Sequence, residues 1–418
     1  MRKPNLRFAG FEDEWKESEI KNVLRKISRP VKVASTSEYR QIGIRSHGNG
    51  IFHKAQVTGA ALGDKRVFWV EPNALVVNIV FAWEQAVAVT TEREKGMVAS
   101  HRFPMYVAKE SRAEPEFVLR LFLTGKGKKL LELASPGGAG RNKTLGQKEF
   151  ESLKIVLPPP PEQRKVAQFL SVLDQRTTEL RRKLELLEAY AGEMARRIFA
   201  REVRLTDEAG NDFPEWERRK FGDVFDFYGN NSFSRDCLTY ESGSVRHIHY
   251  GDIHSNYRSA LRIERENVPF VRPEFDVSRV PPENYCREGD LVIADASEDY
   301  DDVGKSIEIL NLSGEQVLAG LHTFIARDRD AAFANGFKGY LMRSESVRCQ
   351  IKTLATGVSV LGISKSNLAK VDLCIPSRDE QVRIACFLGA IDDKIFAIKE
   401  QLRNLARYKQ GLLSEMFV

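Results

Sequence analysis

The residues of this sequence best suited to chemistry are cations, amides and imidazoles set among glycines, a pattern for holding a polyanion. In Arg45-Ser46-His47-Gly48-Asn49-Gly50, the side chains of Arg45, His47 and Asn49 carry the donors and acceptors that meet base edges in a nucleic-acid groove. The plainer reading is an ordinary hairpin turn. Lys126, Lys128 and Lys129 surround Gly127, and Arg141 and Lys143 follow Gly137-Gly138-Ala139-Gly140. Both groups suit phosphate, because glycine lets the backbone approach closely and each cation neutralises a charge. A solvated charge cluster is the alternative. Arg102, between His101 and Phe103, belongs to the same class, whereas Phe81-Ala82-Trp83 reads as core. In the second half, His247-Ile248-His249-Tyr250-Gly251-Asp252-Ile253-His254 offers Tyr250 and His254 as groove contacts, with Asn256 and Arg258 just after. Thr356-Gly357-Val358-Ser359 and Lys365 lie where the first half has its glycine loop, which makes Ser359 and Lys365 a second groove or phosphate contact.

Three features invite a catalytic or metal-binding reading. Asp295 to Asp302 is acidic and is followed by Lys305, and carboxylates near a lysine can hold a metal that cleaves phosphodiesters. A polar hairpin, with an Asp or Glu accepting from cytosine and Lys305 on DNA, accounts for the same residues. Val303-Gly304-Lys305-Ser306 resembles the end of a phosphate-binding loop, but Asp299 stands where that loop needs its first glycine. His247 and His249, spaced to share a strand face, have no cysteine or acidic residue completing a metal set. No catalytic residue, no metal and no cofactor is therefore expected in this chain.

Composition agrees with a binding protein. The net charge of +6 permits a polyanionic partner without requiring one, and 42% hydrophobic with 29% charged residues is ordinary for a globular chain. The five cysteines are odd in number and none forms a C-x-x-C pair, which suggests reduced thiols. With no apolar leader and no apolar run long enough to span a bilayer, a cytoplasmic location is expected.

Whatever positions these residues is repeated. Glu162-Gln163, Ala167, Phe169-Leu170, Asp174, Tyr190 and Phe199 recur 218 positions later as Glu380-Gln381, Ala385, Phe387-Leu388, Asp392, Tyr408 and Phe417, without a gap. Leu170, Leu173, Leu180, Leu184 and Leu187 in the first copy, and Leu388, Ile391, Ile395, Ile398, Leu402 and Leu405 in the second, follow the 4-3 spacing of a coiled-coil seam. Parallel and antiparallel pairing look alike from such a seam. Lys409 departs from it, where the first copy has Ala191. A proline run, Pro158 to Pro161, opens the first helix. Ser377 with Glu380 predicts a reciprocal capping box at the second. The domains expected are module 1 (1–157), helix 1 (158–200), a linker (201–211), module 2 (212–376) and helix 2 (377–418). Each module is predicted α+β, with strands at 67–70, 75–77, 86–89 and 291–293, and helices at 115–133 and 338–354.

The paired proline–Glu-Gln helices, each running into Phe-Leu and Leu173-Asp174 or Ile391-Asp392, resemble the DNA-specificity subunit of type I restriction-modification systems. Tyr250-Gly251-Asp252-Ile253, Gly289-Asp290-Leu291-Val292-Ile293 and Val303-Gly304-Lys305 add to the likeness. The resemblance covers essentially the whole chain. It implies two target-recognition domains with pseudo-twofold repetition, each reading one half of a bipartite double-stranded DNA site. It further implies two antiparallel coiled-coil helices that space them and dock two methyltransferase subunits, with restriction subunits joining through those. S-adenosylmethionine, ATP and magnesium would then be used by the partners, and this subunit would be non-catalytic. The rivals are a coiled-coil scaffold without sequence preference and a metal-dependent nuclease.

Overall fold

The computed structural model describes residues 3–137 and 143–417. The chain forms two compact units: Met1–Arg181 with Glu400–Val418, and Arg182–Lys399. Two long helices, Pro160–Phe199 and Arg378–Met416, contribute to both.

In the first unit, one four-stranded sheet runs in the order Leu24–Ile27, Met105–Ala108, Leu75–Val77, Val87–Val89. A second runs Ile51–Thr58, Glu38–Ile44, Val98–Ser100, Val67–Trp69. Helices Pro115–Leu123 and Gly125–Leu133 cover the core. The single helix expected over 115–133 is broken at Thr124, whose hydroxyl caps the second helix by accepting from Gly127 N–H at 3.0 Å. Gly127 is obligatory there, since a Cβ would stand 2.0 Å from the Leu121 carbonyl oxygen.

In the second unit a five-stranded sheet runs Phe225–Tyr228, Thr323–Asp328, Leu291–Ala294, Ser306–Asn311, Ala260–Arg262. A four-stranded sheet runs Leu238–Thr239, Phe270–Val271, Val245–Ile248, Gln316–Ala319. The expected helix over 338–354 is again two, Lys338–Leu341 and Glu345–Leu354. Both units are α+β.

Each unit closes its module the same way. The first strand pairs antiparallel with the last: Lys16–Glu19 with Lys154–Leu157, and Glu217–Lys220 with Asp372–Ile375. The last strand then runs through proline into a long helix. The Glu-Gln pair anchors that helix. Gln163 accepts from Glu114 N–H at 2.8 Å and donates to the carbonyls of Pro158 and Arg112. Gln381 accepts from Ala334 N–H at 2.8 Å and donates to Pro376 and Ala332. The glutamates differ: Glu162 takes Arg7, and Glu380 takes the Trp216 indole at 3.0 Å. The reciprocal capping box expected at Ser377 is thus only half made. Ser377 Oγ lies 3.5 Å from Glu380 N, while the Glu380 carboxylate points to Trp216 rather than back to its cap.

The long helices pack antiparallel. In the first unit Glu162 meets Arg7, whose neighbour Leu6 bonds to Glu415, while Asp174 pairs with Lys409. In the second, Phe199 and Glu380 both meet Trp216, and Glu188 pairs with Lys399 at 2.7 Å. Leu170, Leu180, Leu388, Ile391, Ile395 and Ile398 are buried. Leu173, Leu184 and Leu187 are partly buried against the cores, and Leu402 and Leu405 are half-buried.

Candidate nucleic-acid interface

Each unit has a central strand whose end is held by the same two hydrogen bonds. In the first, strand Leu75–Val77 leads to Ile79, whose N–H donates to the Arg102 carbonyl at 3.0 Å and whose carbonyl accepts from Leu145 N–H at 2.7 Å. In the second, strand Leu291–Ala294 leads to Asp295, whose N–H donates to the His322 carbonyl at 3.0 Å and whose carbonyl accepts from Ile363 N–H at 2.8 Å. Leu145 and Ile363 stand 218 positions apart, the same offset as the helices. The frame gathers loops from distant parts of the sequence onto one place in each unit.

In the first unit the loop 78–86 is the hub. His47 N–H donates to Glu84 O at 2.7 Å, Gly48 N–H to Gln85 O at 3.0 Å, and Ser46 Oγ to the Glu84 carboxylate at 2.9 Å. Gln85, held with φ +57°, donates to the Phe122 carbonyl at 2.9 Å and so ties in the junction before Gly125–Leu133. Arg45, His47, Asn49, Arg102, Lys126, Lys128 and Lys129 are all exposed on segments joined to this hub. The Arg45 guanidinium lies over the Phe52 ring at 4.9 Å, and Lys143 Nζ over Trp83 at 5.6 Å. Phe81-Ala82-Trp83 is therefore part of this surface and not wholly core: Ala82 is buried, while Phe81 is exposed. Arg141 lies outside the described residues.

In the second unit, Tyr250 is the counterpart hub. Its ring stacks on His249 at 4.6 Å and meets His254 and His322 edge-on at 5.7 and 5.5 Å. His322 Nδ1 lies 3.3 Å from an Asp295 carboxylate oxygen, and burial pushes the Asp295 carboxyl above the usual carboxylate range. Ser359 and Lys365 are exposed on segments that flank Ile363, with Lys365 Nζ 5.4 Å from the Phe324 ring centroid. Lys305, Asn256 and Arg258 are engaged inside the unit. Lys305 donates to the His254 carbonyl and to Asp302, Asn256 to Asp252, and Arg258 to the main-chain carbonyl of Asp392 on the second long helix.

The sequence reading missed His322. It occupies the position of Arg102 in the shared frame, and only strand pairing reveals that. It also put His247 and His249 on one strand face. In the structure the strand Val245–Ile248 stops before His249, which caps the helix Tyr250–Ser255 by accepting from Gly251 N–H at 3.1 Å. His247 is buried, 3.1 Å from Asn231 Oδ1, and burial pushes it down to about 3. Burial also lowers His249 and His254. The acidic stretch is internally paired, Asp301 with Lys352 and Asp302 with Lys305. Among the described residues no group of three or more His, Cys, Asp or Glu side chains is placed to hold a metal ion, and no helix is long and apolar enough to cross a membrane.

Residues 12–189 match the family model described as Type I restriction modification DNA specificity domain. Over that stretch, somewhat under half of its length, the chain is similar to this family. It is similar to the type I restriction enzyme MjaVIII specificity subunit of Methanocaldococcus jannaschii, at 24% identity over 285 residues, which is 65% of this chain and 62% of that protein. Its fold is that of the type I restriction-modification S subunit from M. genitalium, with a TM-score of 0.61 at 13% identity over 100% of this chain and 99% of that one. A chain solved in work on complex assembly and conformational transition of the type I system gives a TM-score of 0.53 at 18% identity, covering 97% and 98%.

Proposed function

We propose that this chain is a non-catalytic DNA-specificity subunit of a type I restriction-modification system, and that each of its units reads one half of an asymmetric bipartite site in double-stranded DNA. The observation that carries this is the Ile79/Asp295 frame: the same hydrogen-bonded scaffold in two units, presenting different side chains. A common scaffold suits a common task, and Arg45, His47, Asn49 and Arg102 against Tyr250, His322, Ser359 and Lys365 suits two different sequences. The paired helices set the gap between half-sites. At about 1.5 Å per residue each is roughly 60 Å long. They also dock two methyltransferase subunits, through which restriction subunits join. Adenine methylation and ATP-dependent cleavage are then directed by this chain but performed by its partners, which use S-adenosylmethionine, ATP and magnesium in the cytoplasm.

The test is to map methylated sites in cells that express the chain with its methyltransferase. One asymmetric two-part motif is expected. Replacing residues 1–157 by another module should change one half of that motif, and deleting one heptad from each helix should alter the gap or stop assembly while leaving both halves unchanged. A motif in which both halves change with module 1 would refute the reading.

A further inference from the structure

The loops gathered around Asp295 carry several exposed apolar side chains. Val358 is 100% exposed and Val360 53%, with Tyr300 at 52% and Leu321 at 36%. Strand Ala296–Ser297 pairs with Leu361–Gly362, which sets the valine loop beside the loop that bears Tyr300, and Leu321 adjoins His322. The valines sit on a closed turn. Thr356 and Gly362 exchange both main-chain hydrogen bonds, at 2.9 and 2.8 Å. Gly357 takes φ +131°, and a Cβ there would stand 2.0 Å from the Val360 carbonyl oxygen, so this turn requires glycine. The closure keeps Val358 and Val360 turned to solvent, while the Lys352 ammonium lies 5.4 Å from the Tyr300 ring centroid on the adjoining loop.

Two aliphatic side chains held in water on a surface flanked by Lys365 call for an apolar target on a charged ligand. In the grooves of duplex DNA that target is the C5-methyl of thymine. We infer that Val358 and Val360 select thymine in the half-site of the second unit by contact with its methyl group. The inference rests on the DNA-reading function proposed above and names the chemistry by which one of its surfaces discriminates.

The experiment uses the full chain assembled with its methyltransferase and duplexes carrying the mapped site. Each thymine of the second unit's half-site is replaced in turn by uracil, which removes only the methyl. At least one replacement should weaken binding about four-fold, the value of one buried methyl. The variant Val358→Ser/Val360→Ser, which removes both methyl groups of each side chain, should bind the thymine and uracil duplexes alike at that position. It should keep the wild-type melting temperature and any uracil penalty in the other half-site. If no uracil in this half-site weakens wild-type binding, or if the penalty survives in the variant, the inference is overturned. A wild-type complex with no sequence preference at all is a separate outcome, and it would overturn the DNA-reading function itself.

Discussion

Asp174 and Asp392 occupy the same place in the two copies of the long helix, yet they do different work. In the first unit Asp174 pairs with Arg120, which is buried, and with Lys409 from the other helix. In the second unit Asp392 accepts from the Tyr340 hydroxyl at 2.5 Å and has the Arg258 guanidinium 3.9 Å away. Gln163 and Gln381, eleven residues earlier in each helix, make the same three hydrogen bonds in both. The contrast separates two kinds of constraint. Glutamine binds main-chain groups, whose positions the fold dictates, so the bonds repeat. The aspartate binds side chains, which each module supplies for itself, so its partners differ.

The largest expected effect tests the shared part. Gln163→Ala or Gln381→Ala leaves three buried or partly buried main-chain groups without their side-chain partner and should destabilise its own unit by about 3 kcal/mol, to a similar degree in both. Denaturant unfolding followed by a probe in each unit checks this, and unequal losses would break the equivalence. Next comes the part that differs. Asp174→Asn leaves Lys409 without its counter-charge and Arg120 with Glu116 alone, at 3.3 Å, and should cost about 2 kcal/mol, reduced from a fully buried pair because Asp174 and Lys409 are partly exposed. Asp392→Asn keeps an acceptor for Tyr340 and should cost less than about 1 kcal/mol. Reversal of that order would refute the assignment.

Acid should then weaken the second unit. The folded value of His247, about 3, lies below an unfolded value near 6.5. Between those values the unfolded chain binds more protons. Stability is therefore complete above about pH 6.5 and falls as pH drops through the window, by about 2 kcal/mol at pH 5. The lowered His249 and His254 act in the same direction. Melting curves at pH 7 and pH 5 should differ less in His247→Gln than in the wild type. The smallest effect belongs to Ala191→Lys, which copies Lys409 into the second unit. Ala191, Gly192 and Ala195 border a cleft of about 400 Å³ that also reaches Tyr340, the partner of Asp392. A lysine there should be accommodated and shift stability by less than about 1 kcal/mol, as expected for a partly exposed pair; a large loss would show that the cleft is not its counterpart.

The sequence by itself determined the repeat, the bounds of both long helices to within a residue or two, and their apolar seam. Helical periodicity is a local signal, carried by residues three and four apart, so Leu170 or Ile391 declares its face without knowing its partner. It also marked most of the cations on the candidate surfaces, because glycine next to lysine is a local pattern too. Only the tertiary structure decided that the helices run antiparallel, that the turn at 45–50 meets the loop at 78–86, and that His322 stands where Arg102 does. It also turned Lys305 and Arg258 inward and drew Phe81 and Trp83 to the surface. Each of these depends on hydrogen bonds between segments tens to hundreds of residues apart, such as Asp295 N–H to His322 O and Ile363 N–H to Asp295 O. Main-chain donors and acceptors are the same at nearly every residue, so no residue type announces which distant strand end it will meet.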